Sequence, residues 1–341
     1  MKVWAWLATL YLVGLPCLYW RGVLQDQALA VVYPMATVAL AGWSFVVSHR
    51  VVVSEVVGWL VLGVVASSVF TMPAAGFPVL VLHAGLALLA FWSLSHAPSA
   101  DWLERRIVWL ALINAAYAWV QWAGYDPLFE SVQAANPHLS TGVPGPIGLF
   151  SRRNQLGMLL LAAFPLASTW QRGVLVATAA MVGSWVAVGG IGLWWLSRRV
   201  NPWVVGVVAA VGLVCGGVTS WDSRFLPRVS VRLVALGEAV WSPLYGYGLG
   251  AWEAMHSEKL GLGPWLYNSY LSAFHMGGVL VLLPLVGAVW MVWRSRASRV
   301  KEALLLLGLA ALVQTPWHFI RLVIVTVALG AAWNLRRMDA D

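Results

Sequence analysis

A chain of 341 residues that is 61% hydrophobic and only 10% charged carries more apolar side chain than one soluble core of that size can enclose. Its net charge of +8 would suit a nucleic-acid partner only if the cations were gathered on one soluble surface, whereas they are scattered between apolar segments. The composition therefore predicts an all-α polytopic membrane protein, a single transmembrane domain over residues 1–341. Barrel strands are excluded, because they alternate apolar and polar residues over about ten positions.

Lys2 precedes a first apolar segment, about 3–20, that lacks a small-residue cleavage site and is expected to stay as a helix. Helices are predicted next at about 28–48, 51–70, 77–95 and 106–123, before a hydrophilic connection over about 124–154. Helices at about 155–170 and 173–188 follow, and the pair Gly189-Gly190 is expected to break the chain into a short returning half-helix ending near Ser197. After a helix at about 202–220 comes a second polar stretch, about 220–266, then helices at about 267–293, 302–315 and 317–335. The sum is about twelve transmembrane helices.

Orientation follows from Lys and Arg, which accumulate in cytoplasmic loops. With the break at the glycine pair, Lys2, Arg50, Arg105, Arg106, Arg172, Arg198, Arg199, Arg294, Arg296, Arg299, Lys301, Arg336 and Arg337 fall on one side. Both termini are then cytoplasmic. The remaining cations, Arg21, Arg152, Arg153, Arg224, Arg228, Arg232, Lys259 and Arg321, face outward with the two long polar stretches, and the site is expected there. The 23 tryptophans cluster at segment ends, as interfacial belts do. Cys17 and Cys215 have no Cys or His neighbour at ligand spacing, so neither a metal nor a disulfide is expected. Glu55, His83, Asn114 and Gln121 lie in apolar segments, either lining a polar groove or bonding between helices, and Glu55, near Arg50 and the cytoplasmic edge, is read as an interfacial pair with it.

The first polar stretch ends in TGVPGPIGLFSRRNQLG, where a Gly- and Pro-rich backbone gives way to Arg152-Arg153-Asn154 at a helix start. Two guanidiniums beside free helix N–H groups make an anion site, or else simply meet lipid phosphates. In the second stretch the spacing from Arg228 to Trp241 is helical, with Arg228 and Arg232 four apart on one face, able to grip one phosphate. Pro243 ends that helix, and Gly246, Gly248 and Gly250 permit a tight turn against a ligand or another backbone. No strand precedes these glycines, which excludes a dinucleotide fingerprint.

Three stretches resemble the superfamily of O-antigen ligases and O-antigen polymerases, which includes pilin O-oligosaccharyltransferases: GLFSRRNQLGMLLLAAFPLA (148–167), RVSVRLVALGEAVWSPLYGYGLGAW (228–252) and YNSYLSAFHMGGVL (267–280). The likeness covers roughly the C-terminal 60% of the chain; the first five segments match in hydropathy alone. It implies a metal- and cofactor-independent glycosyltransferase of the bacterial inner membrane. Such enzymes move a glycan from an undecaprenyl-diphosphate carrier to a hydroxyl of a growing glycan, lipid A core or pilin at the outer face. The chemistry needs cations for the departing diphosphate and a base for the hydroxyl proton. Arg228 occupies the position of a family arginine implicated at the diphosphate, and location adds Arg232, Arg152 and Arg153.

The sequence departs from the family twice. Tyr267 stands where the family motif His-Asn-x-Tyr-Leu has its histidine, leaving Asn268 in register, and Val188-Gly189-Gly190 replaces a Ser-Arg-Gly. A tyrosine with a pKa near 10 is a poor base. His256, flanked by Glu253 and Glu258, is the leading replacement; His275, and His318 beside Arg321, are further candidates. The rival expectation is a non-catalytic membrane protein: a relative that binds the polyprenyl-diphosphate lipid or modulates a partner, or a transporter.

Overall fold

The structure is a computed structural model that describes residues 2–17, 25–47, 77–126, 146–150, 153–199, 225–248, 268–296, 298–311 and 320–338. The predicted helices at 51–70 and 202–220 lie outside the described residues, as do Arg152, Glu253, His256, Glu258, Tyr267 and His318. Among the described residues all regular structure is helical. The elements are α1 (Lys2–Thr9, running on into a π-helical turn, Leu10–Gly14), α2 (Gln25–Val47), α3 (Phe77–Leu94), α4 (Ala100–Trp122), α5 (Arg153–Ala163), α6 (Thr169–Val182), α7 (Trp185–Ser197), α8 (Phe225–Trp241), α9 (Ser269–Arg294), α10 (Arg299–Ala310) and α11 (Ile320–Met338).

Helix starts are set by capping chemistry rather than by hydropathy. Ser99 accepts from Trp102 N at 3.2 Å with Asp101 in the first turn, so α4 begins six residues before its apolar run. Ser298 caps α10 through Lys301 N, and the Gln171 side chain accepts from Ser168 N at the start of α6. At the end of α5 the Arg172 guanidinium donates to Phe164 O and Pro165 O, taking up carbonyls that the terminating turn leaves open.

The core is built on α5. From Gln155 to Ala163 every residue is buried, and α4, α6, α7, α10 and α11 all pack on it. Its seam with α7 is unusually close. A Cβ on Gly157 would stand 1.9 Å from Ser184 Oγ, and one on Gly190 would stand 2.6 Å from Leu161 Cδ1. The expected break at Gly189-Gly190 is therefore not where the chain turns. The pair sits inside a continuous α7, where Gly190 is the packing surface and Gly189 is exposed, and the turn falls earlier, at Gly183, whose left-handed φ of 65° closes α6 while Ser184 starts α7. Gly157→Ala should destabilise the purified protein by about 1–3 kcal/mol through overpacking, read as a lower thermal midpoint, since Ser184 must move. An unchanged midpoint would mean that the α5–α7 seam is looser than described.

Side-chain contacts fix which helix ends share a side. Arg172 lies over Trp194 (5.1 Å) and Arg198 over the same ring (4.3 Å), while Trp194 Nε1 and Arg198 both donate to Glu302 (2.8 and 2.6 Å). Trp333 Nε1 and Lys301 Nζ donate to Ser295 Oγ and Ser295 O, and Arg336 pairs with Glu104 (2.8 Å) and Asp101. Trp4 packs on Trp102, which Arg106 covers. The starts of α1, α4, α6 and α10 thus meet the ends of α5, α7, α9 and α11. Every Lys and Arg of the described residues except Arg153, Arg228, Arg232 and Arg321 belongs to that end. The outward faces carry Trp6, Phe45, Trp109, Trp122, Trp185, Leu283 and Trp290, all exposed and apolar, a surface poorly suited to water.

By length and composition one helix among the described residues is long and apolar enough to cross a membrane, α9. It is not a single rod. Gly278 has φ 59° and ψ −155°, which splits α9 into an arm up to Gly277 and an arm from Val279 onward. A Cβ on Gly308 of α10 would lie 3.3 Å from Tyr270 Oη and 3.8 Å from Val289 Cγ2. In a straight helix those two residues would be about 28 Å apart, so the arms fold toward each other around α10. The single helix expected at 267–293 is two.

Candidate functional site

Breaking a helix inside an apolar setting frees backbone groups that must be paired. Here the segment from Pro243 to Gly248, the PLYGYG turn, pairs them. Tyr247 N and Gly248 N donate to His275 O and Met276 O, both at 2.9 Å, and Val279 N and Leu280 N donate to Pro243 O and Leu244 O at 2.8 and 3.4 Å. The turn is itself closed by Gly246 N to Ser242 O (2.9 Å) and Ser242 Oγ to Gly246 O (2.6 Å). The approach is backbone on backbone. A Cβ on Gly246 would stand 2.5 Å from Met276 C, and one on Gly278 2.4 Å from Leu244 C and O. Both residues have positive φ, 69° and 59°, so glycine is required twice over at each.

The turn anchors α8, the helix that carries Arg228 and Arg232. Val231 and Ala235 pack against Leu271 of α9, while Leu233, Leu236, Val240 and Trp241 face outward. A polar network sits at the junction of α8, the turn and α9. His275 is fully buried, and its Nε2 lies 2.9 Å from Glu238 Oε2, on a side chain a quarter exposed. With Glu238 ionised its carboxylate only accepts, and Nε2 then carries the proton. The Tyr247 ring stacks on the His275 ring at 5.1 Å and 23°, and the Tyr247 hydroxyl donates to Glu238 O at 3.1 Å. Glu238, Tyr247 and His275, from three separate stretches, hold one another in place.

Of the residues expected at the site, Arg232 lies on α8, half-buried, six residues before Glu238. Arg228 is in the first turns of α8, and Arg321 near the start of α11, with backbone alone described. Asn268 caps α9, its side chain accepting from Leu271 N at 2.9 Å, and the hydroxyl of Tyr270 donates to Gly308 O at 3.0 Å. Arg153 opens α5, with Nη1 against Gly183 at the turn between α6 and α7. Five residues earlier in the chain, Gly148 is held by a knot of side-chain amides. Gln121 accepts from Ile147 N and Gly148 N and donates to Gly148 O and Asp126, while Asn114 accepts from Leu149 N. These two amides therefore bind the incoming connection rather than line a groove.

Glu238 and Tyr247 are the residues that sequence reasoning passed over. The available signal was an acidic residue among Leu, Ala and Val, six positions beyond a paired arginine, and a histidine two turns into an apolar run. Ionisable groups in such places pair. No known protein-family model matches the sequence, and no curated protein is similar to it.

Proposed function

We propose that the protein is a multi-pass membrane glycosyltransferase of the O-antigen ligase and polymerase type, which moves a glycan from a polyprenyl-diphosphate carrier to an acceptor hydroxyl at the outer face of the bacterial inner membrane. The observation that carries this reading is the docking of the PLYGYG turn on the broken start of α9. Two of the three stretches on which the resemblance rests interlock there, and the helix bearing Arg228 and Arg232 is fixed to them. In this reading the end rich in Lys and Arg is cytoplasmic, and Arg153, Arg228, Arg232 and Arg321 belong to the outer half. Guanidiniums suit a diphosphate because their planar forks bind phosphate oxygens in pairs.

A broken helix is also how transporters present backbone groups to a cargo. That alternative is weaker here, since the turn already occupies His275 O, Met276 O, Val279 N and Leu280 N. Expression in strains lacking either the ligase or the polymerase tests the proposal. Restored long chains on lipid A core indicate a ligase, and a restored length ladder a polymerase. Arg228→Ala should cut transfer by about 100-fold or more, while Trp252→Phe should not. If neither strain is restored although the protein is in the membrane, transfer between these substrates is ruled out. Lipid binding without transfer would identify a non-catalytic relative.

A further inference from the structure

We propose that Glu238 is the base that takes the proton from the acceptor hydroxyl, and that His275 and Tyr247 are its positioning residues; this rests on the transferase reading above. The position where a histidine base is expected holds Tyr267, whose phenol has too high a pKa for the task at neutral pH. A carboxylate is a competent alternative if it is fixed in direction and stands near the leaving diphosphate.

Glu238 meets the first condition by its contacts, and its place on the helix of Arg228 and Arg232 bears on the second. Its Oε2 receives a hydrogen bond from a histidine with no exposed surface, at 2.9 Å, so the carboxylate is held on its buried side while the side chain keeps a quarter of its surface open. The Tyr247 ring clamps that histidine from one face, and its hydroxyl ties down the Glu238 backbone, so neither member can swing independently. Glu238 also shares α8 with both candidate diphosphate ligands. It follows Arg232 by six residues and Arg228 by ten, about 9 and 15 Å along the axis. Around the axis the two arginines lie about 120° and 80° from Glu238, so a diphosphate held by them would present its glycan to Glu238 from the flank of α8.

In the step, Glu238 accepts the hydroxyl proton as the acceptor oxygen bonds to the anomeric carbon. The bond from that carbon to the phosphate oxygen breaks, and its electron pair leaves on the diphosphate, which Arg228 and Arg232 neutralise. No redox change occurs, and the proton later passes from Glu238 to water. His275 keeps its Nε2 proton throughout.

The test uses the full chain in membrane vesicles with an undecaprenyl-diphosphate-linked glycan as donor. Glu238→Gln should lower transfer by about 10²–10⁴-fold at unchanged protein level. Glu238→Ala should be equally slow, with turnover partly restored by added formate, a response that a staple role would not give. His275→Gln, whose amide can donate to the same carboxylate, should keep more turnover than His275→Leu. Wild-type rates in Glu238→Gln, or a Glu238→Ala protein that folds, binds donor and ignores formate, would overturn the assignment while leaving the transferase reading intact. Absence of transfer by the unaltered chain would remove both.

Discussion

Gly278→Ala is expected to unseat the PLYGYG turn and to destabilise the protein by about 3–5 kcal/mol, roughly 10 °C in the melting of detergent-solubilised material. Two costs add. At φ 59° and ψ −155° the backbone is in a region that side chains with a Cβ scarcely enter, and the new methyl would stand 2.4 Å from both C and O of Leu244. Neither can relax cheaply, because the neighbour is backbone held by hydrogen bonds from Val279 N and Leu280 N. Gly246→Ala should behave alike, its Cβ pressing on Met276 and Gly277. The double variant should cost little more than either single one, since one docking is lost once. Gly287→Ala on the same helix meets nothing within 4 Å and should be neutral or better by up to about 1 kcal/mol. If Gly278→Ala melts with the Gly287→Ala control, the turn is not seated on α9.

That pair of glycines shows where sequence reasoning reaches its limit. Gly246 announces a tight turn, because it follows a proline that ends a periodic helix. Its partner does not announce itself: Gly277-Gly278 lies in an apolar run that reads as one uninterrupted helix, and only the incoming backbone reveals why a Cβ is forbidden. The converse error occurs at Gly189-Gly190, where a glycine pair looks like a break and its second member proves to be a surface for Leu161. A glycine in an apolar helix thus has three meanings: a left-handed cap as at Gly183, a close seam as at Gly157 and Gly190, or a split as at Gly278. They differ only in what stands opposite, which a single sequence does not record.

Charge was more legible than shape. The grouping of Arg172, Arg198, Arg199, Arg299, Lys301, Arg336 and Arg337 follows from counting cations in short loops, and in the fold these residues share one end, bridged by Glu104 and Glu302. The grouping survives because a break moved from Gly189 to Gly183 leaves the number of turns unchanged. Of the candidate site, the helix of Arg228 and Arg232 was legible from its period, whereas the Glu238–His275 contact spans 37 residues and has no local signature.

Gln121→Leu is expected to loosen the connection that leads into α5, at a cost of about 2–4 kcal/mol. One amide there serves four contacts: Oε1 receives Ile147 N (2.9 Å) and Gly148 N (2.8 Å), and Nε2 donates to Gly148 O and Asp126 Oδ2, both at 3.1 Å. Leucine keeps the volume and leaves two backbone donors and a carbonyl without that partner, in a segment where Gly148, Leu149 and Phe150 are buried. Gln121→Glu separates the terms. It retains an acceptor for the two N–H groups but faces Asp126 and Gly148 O with negative charge, so its stability should fall between wild type and Gln121→Leu. Asn114→Leu removes the acceptor of Leu149 N and the donor to Leu110 O and should cost about 2 kcal/mol. Amide hydrogen exchange at Gly148 and Leu149 gives the local readout. Faster exchange there in Gln121→Leu, with α8 and α9 unaffected, is the expected pattern. Uniform acceleration across the bundle would instead mean that this knot holds the whole fold rather than the entry to Arg153.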